Sequence, residues 1–308
     1  TEQDARVSFD VSGYLPADVE TVDGAAVYVV DTNLLREGDY IVHARLFRGG
    51  GAAETIEFPL CIAPPHDRER IPVWRWGGGS CDPEWWEQRG FTGAFTGIDT
   101  PLNDSGANMR VTLERAARYD FEMGFYFHPL SAKIPREAPG ARCLLPDGTT
   151  DEDNVYPLEP AVLEYAKNVT ETWMAAFGGY PGLRHVMFNS EYQTPFCFNA
   201  PALDLARDEA GFDLKALVKS KWGPIAPAPD EVKDGVIEDD NMRYCFLQWW
   251  WRRGHGTAPV NEVLNAIVKR YAPDAITWHE PYRLAPVRDS HRGLDCIATW
   301  TYGYPDIK

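Results

Sequence analysis

The chain of 308 residues is 44% hydrophobic, which supplies enough apolar material for one barrel and a smaller module. Its net charge of −16 argues against nucleic acid and anionic membrane surfaces as partners, because phosphate groups are bound by clustered Lys and Arg. No run of about 18 apolar residues occurs, so no membrane span is expected. Such acidity keeps a protein soluble and suits an extracellular setting, and we expect a secreted or periplasmic protein.

Residues 1–63 have the pattern of a small all-β domain. Tyr40, Val42 and Ala44 recur at every second position, which places them on one face of a strand. Short strands of this kind, separated by Gly-rich turns, are typical of a β-sandwich. We therefore predict an immunoglobulin-like β-sandwich over residues 1–63, followed by a Pro-rich, charged linker over residues 64–71.

Residues 72–308 alternate between strand, loop and helix. The predicted strands are Ile71–Trp76, Gly93–Ile98, Gly124–Phe127, His185–Phe188, Ala275–Trp278 and Cys296–Thr299. The predicted helices are Pro83–Gln88, Met109–Tyr119, Glu159–Phe177, Ala202–Lys219, Asn241–Arg252 and Val260–Tyr271. This alternation, with near-continuous apolar strands, indicates a parallel sheet covered on both faces. It favours an α/β fold of the (β/α)8 TIM barrel type, and no Gly-x-Gly-x-x-Gly motif of a dinucleotide fold follows the first strand.

The strand count falls short of a closed barrel, because six strands are found where eight are needed. Two further units could be hidden in residues 222–240, although that stretch has the composition of a loop. We favour an incomplete barrel whose remaining part lies beyond Lys308. A second chain or fragment that completes the barrel, or a homo-oligomer, is left open.

The six Cys residues contain no Cys-x-x-Cys pair, so a zinc site is not expected. They are interpreted as free buried thiols, with one or two bridges among the loop residues Cys81, Cys143 and Cys197 left open. The acidic stretch 231–240 lacks the alternating Asp register of a calcium-binding loop. No metal and no organic cofactor is implied.

The candidate chemistry starts where the strand His185–Phe188 stops in a polar run that includes Glu191. The C-terminal ends of the strands form the face on which barrels carry their active sites. Glycoside hydrolysis needs two carboxyl groups, one of which stays protonated so that it can donate its proton to the departing oxygen. We predict Glu191 as that proton donor, with a structural ion pair at the barrel mouth as the alternative.

Glu280 is the second candidate carboxylate, because it follows another predicted strand end. By strand count it belongs to the fifth strand, next to the strand that precedes Glu191. This position suits substrate binding better than attack from the opposite side of the sugar. The alternative is an ion pair with Arg283 or Arg288.

Other strand ends carry rings and polar groups of the types that bind sugars. The C–H face of a pyranose packs on an aromatic ring, while its hydroxyl groups need hydrogen-bonding partners. The predicted substrate-binding residues are Trp76, Asp99, His128, Asn189, Tyr192, Trp278, His279, Trp300 and Tyr302. A buried structural role is the alternative for His128, Trp76 and Trp300.

Three stretches resemble the retaining clan-A glycoside hydrolases, and family 42 β-galactosidases most of all. They begin at Phe188 (Phe-Asn-Ser-Glu-Tyr), at Phe212 (a helix ending in Trp-Gly) and at Asp295 (a strand segment ending in Tyr-Pro). The resemblance implies that Glu191 is the acid/base and that the nucleophile is a Glu at the end of a seventh strand. Two features depart from the family: Ser190 separates Asn189 from Glu191, and the chain stops before a seventh strand.

The leading hypothesis is therefore a β-glycoside hydrolase that cleaves an oligo- or polysaccharide with retention. In this hypothesis the partner of Glu191 is either Glu280 or a carboxylate outside this chain. One alternative is a carbohydrate-binding protein on a degenerate or incomplete barrel without turnover. Another is a non-hydrolytic barrel enzyme such as a lyase or an isomerase.

Overall fold

The computed structural model describes most of the chain in a series of segments. These are residues 6–21, 24–36, 38–48, 51–62, 72–76, 82–103, 106–119, 121–130, 134, 141–180, 182–190, 192, 194–219, 221, 229–280 and 292–298. The predicted linker, residues 64–71, lies outside the described residues.

The elements follow the chain in the order β-rich, then alternating. The strands are β1 (Arg6–Val11), β2 (Tyr14–Glu20), β3 (Gly38–Arg48), β4 (Gly51–Ile62), β5 (Trp74–Arg75), β6 (Gly93–Ile98), β7 (Glu122–Phe127), β8 (Arg142–Leu144), β9 (Thr150–Val155), β10 (Leu183–Phe188), β11 (Val232–Lys233), β12 (Val236–Ile237), β13 (Ile276–His279) and β14 (Cys296–Ile297). The helices are α1 (Pro83–Glu87), α2 (Gly106–Arg118), α3 (Pro160–Phe177), α4 (Ala200–Ala210), α5 (Leu214–Leu217), α6 (Met242–Trp249) and α7 (Thr257–Tyr271). Short 3-10 turns occur at Thr32–Leu34 and Pro229–Glu231, and a π-helical turn occurs at Trp250–Gly254.

The N-terminal strands confirm an all-β portion, but its described residues form one sheet where the sequence predicted a two-sheet sandwich. The order is β2-β1-β3-β4, and all neighbours are antiparallel. The pattern predicts strands at 38–47 and 55–62 joined by a Gly-rich turn, and the structure has this hairpin with arms of 11 and 12 residues. Tyr28 covers part of the apolar face, with its ring stacked on Phe9 at 4.9 Å.

The larger sheet contains six parallel strands in the order β5-β6-β7-β10-β13-β14. Each strand lies beside the one that precedes it in the sheet along the chain. In a doubly wound sheet the order of the strands reverses at a switch point. The order here does not reverse, which is the pattern of a (β/α) barrel. The predicted barrel is thereby confirmed for six strands, and the six predicted strand positions agree with those observed to within a few residues.

Two long helices cover the outer face of this sheet. In α3, Val162, Ala166 and Val169 are fully buried and recur three to four residues apart, which gives the helix one apolar face. In α7, Leu264 and Val268 are buried in the same way. Except for Val162, which packs in a separate cluster with Leu130 and Val155, these side chains join one core with residues of β7 and β10. Within the described residues, no helix combines the length and apolarity needed to cross a membrane.

Two predicted helices differ from the observed ones. The predicted helix 202–219 is split because Gly211, with φ of +70°, ends α4 and Asp213 begins α5. The Asp213 carboxylate accepts the N–H groups of Lys215 and Ala216, which is an N-cap. The helix predicted over 241–252 changes at Trp250 into the π-helical turn.

The cysteines correct one prediction and bear out its alternative. Cys143 in β8 forms a disulfide with Cys197, which precedes α4. These two residues are therefore not free thiols, and the bridge is one of those left open among the loop cysteines. Cys61 and Cys296 carry free thiols but are exposed, so the expected burial is wrong for them. Cys81 lies outside the described residues.

Candidate active site

The C-terminal end of β10 carries two buried polar residues. The backbone N–H of Asn189 donates to the carbonyl oxygen of Phe127 at 2.7 Å, which extends the pairing of β10 with β7 by one residue. Asn189 has φ of +40°, a left-handed conformation that Asn adopts more readily than most residues, and the chain turns out of the sheet there. Glu191, the predicted proton donor, lies outside the described residues, as do Trp300 and Tyr302.

Glu280 lies beside the end of β10, in agreement with its assignment to the next strand. β13 pairs directly with β10, and His279 is opposite Phe188. The Ser190 hydroxyl donates to Oε2 of Glu280, and the two residues are only 4% and 7% exposed. The ring of His279 is also buried, and its Nδ1–H donates to the Phe188 carbonyl at 3.0 Å. The ends of β10 and β13 are thus joined by side-chain hydrogen bonds.

Four aromatic rings connect the ends of β5, β7 and β10. Trp76 is 54% exposed, and its ring centroid lies 5.8 Å from that of Tyr126. Tyr126 stacks on His128 at 5.2 Å, and His128 lies 6.4 Å from Tyr192. We call Trp76, Tyr126, His128 and Tyr192 the aromatic band.

Hydrogen bonds fix the buried part of the aromatic band. The Tyr126 hydroxyl lies 3.1 Å from Nδ1 of His128 and donates to the carbonyl oxygen of Ser190 at 3.4 Å. Burial lowers the pKa of His128, although the nearby Asp99 acts in the opposite direction. Burial also raises the pKa of Tyr192, whose hydroxyl donates to the Val155 carbonyl at 3.0 Å. These rings are therefore neutral near pH 7 and present apolar faces with polar edges.

The barrel interior below the aromatic band is filled with rings. Phe95 lies 4.8 Å from Trp74 and 5.4 Å from Trp278. His185 meets Trp74 edge-on at 4.4 Å, and burial lowers the pKa of His185. A Cβ at Gly124 would clash with the Phe95 and Trp74 rings, so only glycine fits there. Trp278, a predicted sugar-binding residue, belongs to this filled interior.

A buried polar network lies behind the end of β10. Nδ2 of Asn189 donates to Oδ1 of Asn261 at 2.9 Å, so this fully buried amide is directed to α7. The backbone N–H of Thr194 donates to Nε2 of His255 at 2.9 Å. On its other side His255 shares a 2.7 Å hydrogen bond with the Thr257 hydroxyl. Burial, together with the neighbouring His279, lowers the pKa of His255 to about 3.

Tyr126, Ser190 and His255 are among the site residues that the sequence does not predict as functional. Tyr126 had a signal, because it lies two positions before His128, which directly follows β7, and alternate positions of an extended chain share a face. Ser190 had been noted only as an interruption of the family motif. His255 had no local signal, because its contact with Thr194 spans 61 positions of sequence.

The loops at this face are tied together covalently. The disulfide joins the hairpin β8–β9, which follows β7, to the segment that follows β10. Asn199 reinforces this link, since its amide donates to the Glu159 carboxylate at 2.8 Å and to the Arg142 carbonyl at 2.9 Å. No group of three His, Cys, Asp or Glu side chains that could hold a metal occurs among the described residues.

The site thus offers exposed ring surface, neutral hydrogen-bonding groups and a buried carboxylate at one face of the barrel. Asp99 is half-buried at the end of β6, and its carbonyl accepts a hydrogen bond from Tyr165 at 3.1 Å. Rings beside hydrogen-bonding groups are the combination that a sugar requires. A carboxylate in a poorly hydrated environment can additionally hold or move a proton.

The fold is similar to that of solved β-galactosidases. A polyextremophilic β-galactosidase from the Antarctic haloarchaeon Halorubrum lacusprofundi matches with a TM-score of 0.54 and 15% identity, over 76% of this chain and 40% of that chain. The β-galactosidase from the psychrophilic Marinomonas ef1 matches with a TM-score of 0.53 and 9% identity, over 75% of this chain and 40% of that chain. A cold-adapted β-galactosidase from Rahnella sp. R3 matches with a TM-score of 0.50 and 13% identity, over 74% of this chain and 37% of that chain.

The match is one of structure and not of sequence. No family model matches the chain, and no curated protein is significantly similar to it in sequence. The matched region spans about two fifths of the length of the three β-galactosidases. The resemblance expected from the sequence is thereby confirmed at the level of the fold, which this chain shares over its six described parallel strands with part of each β-galactosidase.

Proposed function

We propose that this protein is a glycoside hydrolase that cleaves β-glycosidic bonds in an oligo- or polysaccharide with retention. One observation carries the proposal: the side chains suited to sugar chemistry collect at the C-terminal ends of the parallel strands. The hydrogen bond between Ser190 and Glu280 and the aromatic band are the described parts of that collection. The shared barrel fold of three solved β-galactosidases supports it.

Glu191 is the proposed acid/base. Its two chain neighbours, Ser190 and Tyr192, are described at the end of β10, and burial lowers the exposure of Ser190 to 4%. The role requires a carboxyl group that stays protonated near neutral pH, which desolvation of such a group favours. In the first step it gives its proton to the departing glycosidic oxygen while a carboxylate attacks the sugar carbon. In the second step it takes a proton from the water that releases the sugar.

The remaining site residues receive matching roles. Trp76 and Tyr126 are proposed to pack against the sugar face, and His128 to bind a hydroxyl group. Asn189 is proposed to hold the segment that follows β10, because its amide is already bonded to Asn261. The carboxylate of Glu280 accepts a hydrogen bond from Ser190. It is proposed to contact the sugar from β13, the strand next to β10.

The test of the acid/base is turnover of a panel of aryl β-glycosides, with leaving groups from phenyl to dinitrophenyl, by the wild type and by Glu191→Gln. We expect a drop in kcat of at least about 100-fold on substrates with poor leaving groups, since general acid catalysis contributes about 10² to 10⁴. Glu164→Gln, an exposed change on the outer helix α3, is the matched control and should retain full kcat. Equal kcat for Glu191→Gln and wild type would refute the assignment. Sugar binding without turnover in both proteins would instead identify a carbohydrate-binding protein.

The role of Glu280 is decided by azide rescue of Glu280→Ala. If Glu280 attacks the sugar carbon, azide enters the vacated side and yields the α-glycosyl azide. If Glu280 only binds substrate, Glu280→Ala raises KM and azide has no effect. In Glu191→Ala, azide should attack the glycosyl-enzyme from the β side and yield the β-glycosyl azide. The configuration of the azide, read by NMR, thereby assigns the two carboxylates independently.

We also propose that the protein works in an oxidising compartment, as a secreted or periplasmic protein. The buried disulfide between Cys143 and Cys197 supports this, because structural disulfides persist in such compartments. The test is a thiol count on protein isolated from its native host under denaturing conditions. Alkylation of both cysteines without prior reduction would contradict the proposal.

A further inference from the structure

The segment 189–194 contains the proposed acid/base, and both of its ends are held from one short stretch of chain. At the first end, the amide of Asn189 is bonded to Asn261. At the other end, the backbone N–H of Thr194 is bonded to the ring of His255. His255 and Asn261 lie just before and within the first part of α7. The segment is thus attached at two points to the stretch 255–261.

The local sequence is built to bring His255 to this position. The π-helical turn Trp250–Gly254 precedes it, and the N–H of His255 closes the turn on the Trp250 carbonyl at 2.7 Å. The ring then stacks on Trp251 at 5.3 Å and meets Trp250 edge-on at 5.9 Å. A Cβ at Gly254 would lie 2.5 Å from the Trp249 ring, so a glycine is needed there. π-helical turns of this kind often occur at functional sites.

The hydrogen bonds define how His255 works. A backbone N–H can only donate, so Nε2 of His255 must accept from Thr194. Nδ1 therefore carries the hydrogen and donates to the Thr257 hydroxyl. A second proton, on Nε2, would face the Thr194 N–H and remove the contact. His255 is thus a fixed acceptor for the segment and not a proton carrier.

We propose that His255 and Asn261 are positioning residues that hold segment 189–194 so that its carboxyl group meets the departing oxygen. This inference rests on the proposed function, because holding segment 189–194 matters for catalysis only if Glu191 is the acid/base. A displacement of about 1 Å at a catalytic group can cost about 100-fold in rate. Loss of either contact should therefore lower kcat while leaving KM nearly unchanged.

The test compares two leaving groups. A phenyl β-glycoside needs its departing oxygen protonated, whereas the dinitrophenolate of a dinitrophenyl β-glycoside departs without a proton. We expect His255→Leu to lower kcat/KM, which reports the first step, about 100-fold on the phenyl substrate and less than threefold on the dinitrophenyl substrate. His255→Gln should restore the phenyl rate to within about threefold of wild type, because the Gln oxygen can accept the Thr194 N–H in place of Nε2. Asn261→Ala should resemble His255→Leu.

A matched control separates positioning from loss of stability. Val268→Ala removes buried volume from the same helix, away from the segment, and should lower the melting temperature without distinguishing the two substrates. Hydrogen exchange then tests the contact directly: amides of residues 189–199 should exchange faster in His255→Leu and at the wild-type rate in His255→Gln.

The outcomes are distinguishable. Equal losses on both substrates, or unchanged exchange of residues 189–199 in His255→Leu, would overturn the positioning role and leave the proposed hydrolase intact. Wild-type protein that turns over neither substrate would overturn the proposed function, and the positioning role with it. Should His255→Leu fail to fold, Thr257→Val tests the same ring, because it removes the acceptor of Nδ1–H and should give a smaller loss with the same preference for the phenyl substrate.

Discussion

Removal of the disulfide between Cys143 and Cys197 should measurably destabilise the fold. The two residues are 54 positions apart, so the bridge closes a long loop in the unfolded chain. The loop-entropy relation gives about 4 kcal/mol for a loop of this length. At about 2 cal/mol/K of unfolding entropy per residue, that loss lowers the melting temperature of a chain of this size by about 6 °C. Both cysteines are fully buried, so the double variant to Ala avoids leaving two hydroxyl groups without partners.

The assay is thermal and urea unfolding of Cys143→Ala/Cys197→Ala, followed by circular dichroism. Cys61→Ala is the control, since that thiol is exposed and free and its removal should change stability by less than about 0.5 kcal/mol. The disulfide also joins two loops at the mouth, so the double variant should unfold there first. A loss below about 1 kcal/mol would refute the reasoning, because the bridge would then be closing a loop that is already ordered in the unfolded state.

Three further predictions concern single positions. The pKa of His255 is about 3 in the folded state and about 6.5 in the unfolded state, so between these values only the unfolded state gains its proton. From pH 7 to pH 5, the free energy of unfolding of the wild type should therefore fall by about 2 kcal/mol more than that of His255→Gln. Parallel plots of urea midpoint against pH for the two proteins would contradict this. Gly124→Ala should cost about 1–3 kcal/mol of unfolding free energy because the new methyl group meets two rings, whereas Gly97→Ala, with open space around its Cβ, should be near neutral in the same urea titration. Trp76→Ala should raise KM for a β-glycoside about tenfold with little change in kcat, and an equal effect of Trp85→Ala, on a helix outside the mouth, would disprove a stacking role.

The barrel strands could be predicted because burial on both faces leaves a direct trace in the sequence. The strands at 93–98 and 183–188 are short apolar runs, and each is followed by polar residues. Their neighbour order then follows from the alternation of strands and helices. The position of Glu280 beside β10 could also be predicted, because it follows from counting the strands.

Other features depend on contacts that no local pattern contains. The helix break at Gly211 and Asp213 had its signals, a C-terminal glycine and an N-cap aspartate, but the apolar periodicity continued across them. The single N-terminal sheet depends on which strands pair, and alternation within each strand does not set the pairing. His255 depends on a π-helical turn and on a partner far away in sequence, so its role emerged only from the structure.

The guanidinium of Arg36 has a consequence for how the two sheets depend on each other. Arg36 is buried, and it donates to the carbonyl oxygens of Tyr180, at 2.9 Å, and of Leu183. These carbonyls belong to the entrance of β10, the strand whose opposite end carries the proposed chemistry. Deleting residues 1–62 would remove the Arg36 donor from both oxygens, and the Tyr180 oxygen would keep only the N–H of Leu183. Loss of a buried hydrogen bond of this kind costs about 1–3 kcal/mol. The N-terminal part therefore stabilises the start of β10, and we expect the N-terminal sheet and the parallel sheet to unfold in one cooperative transition.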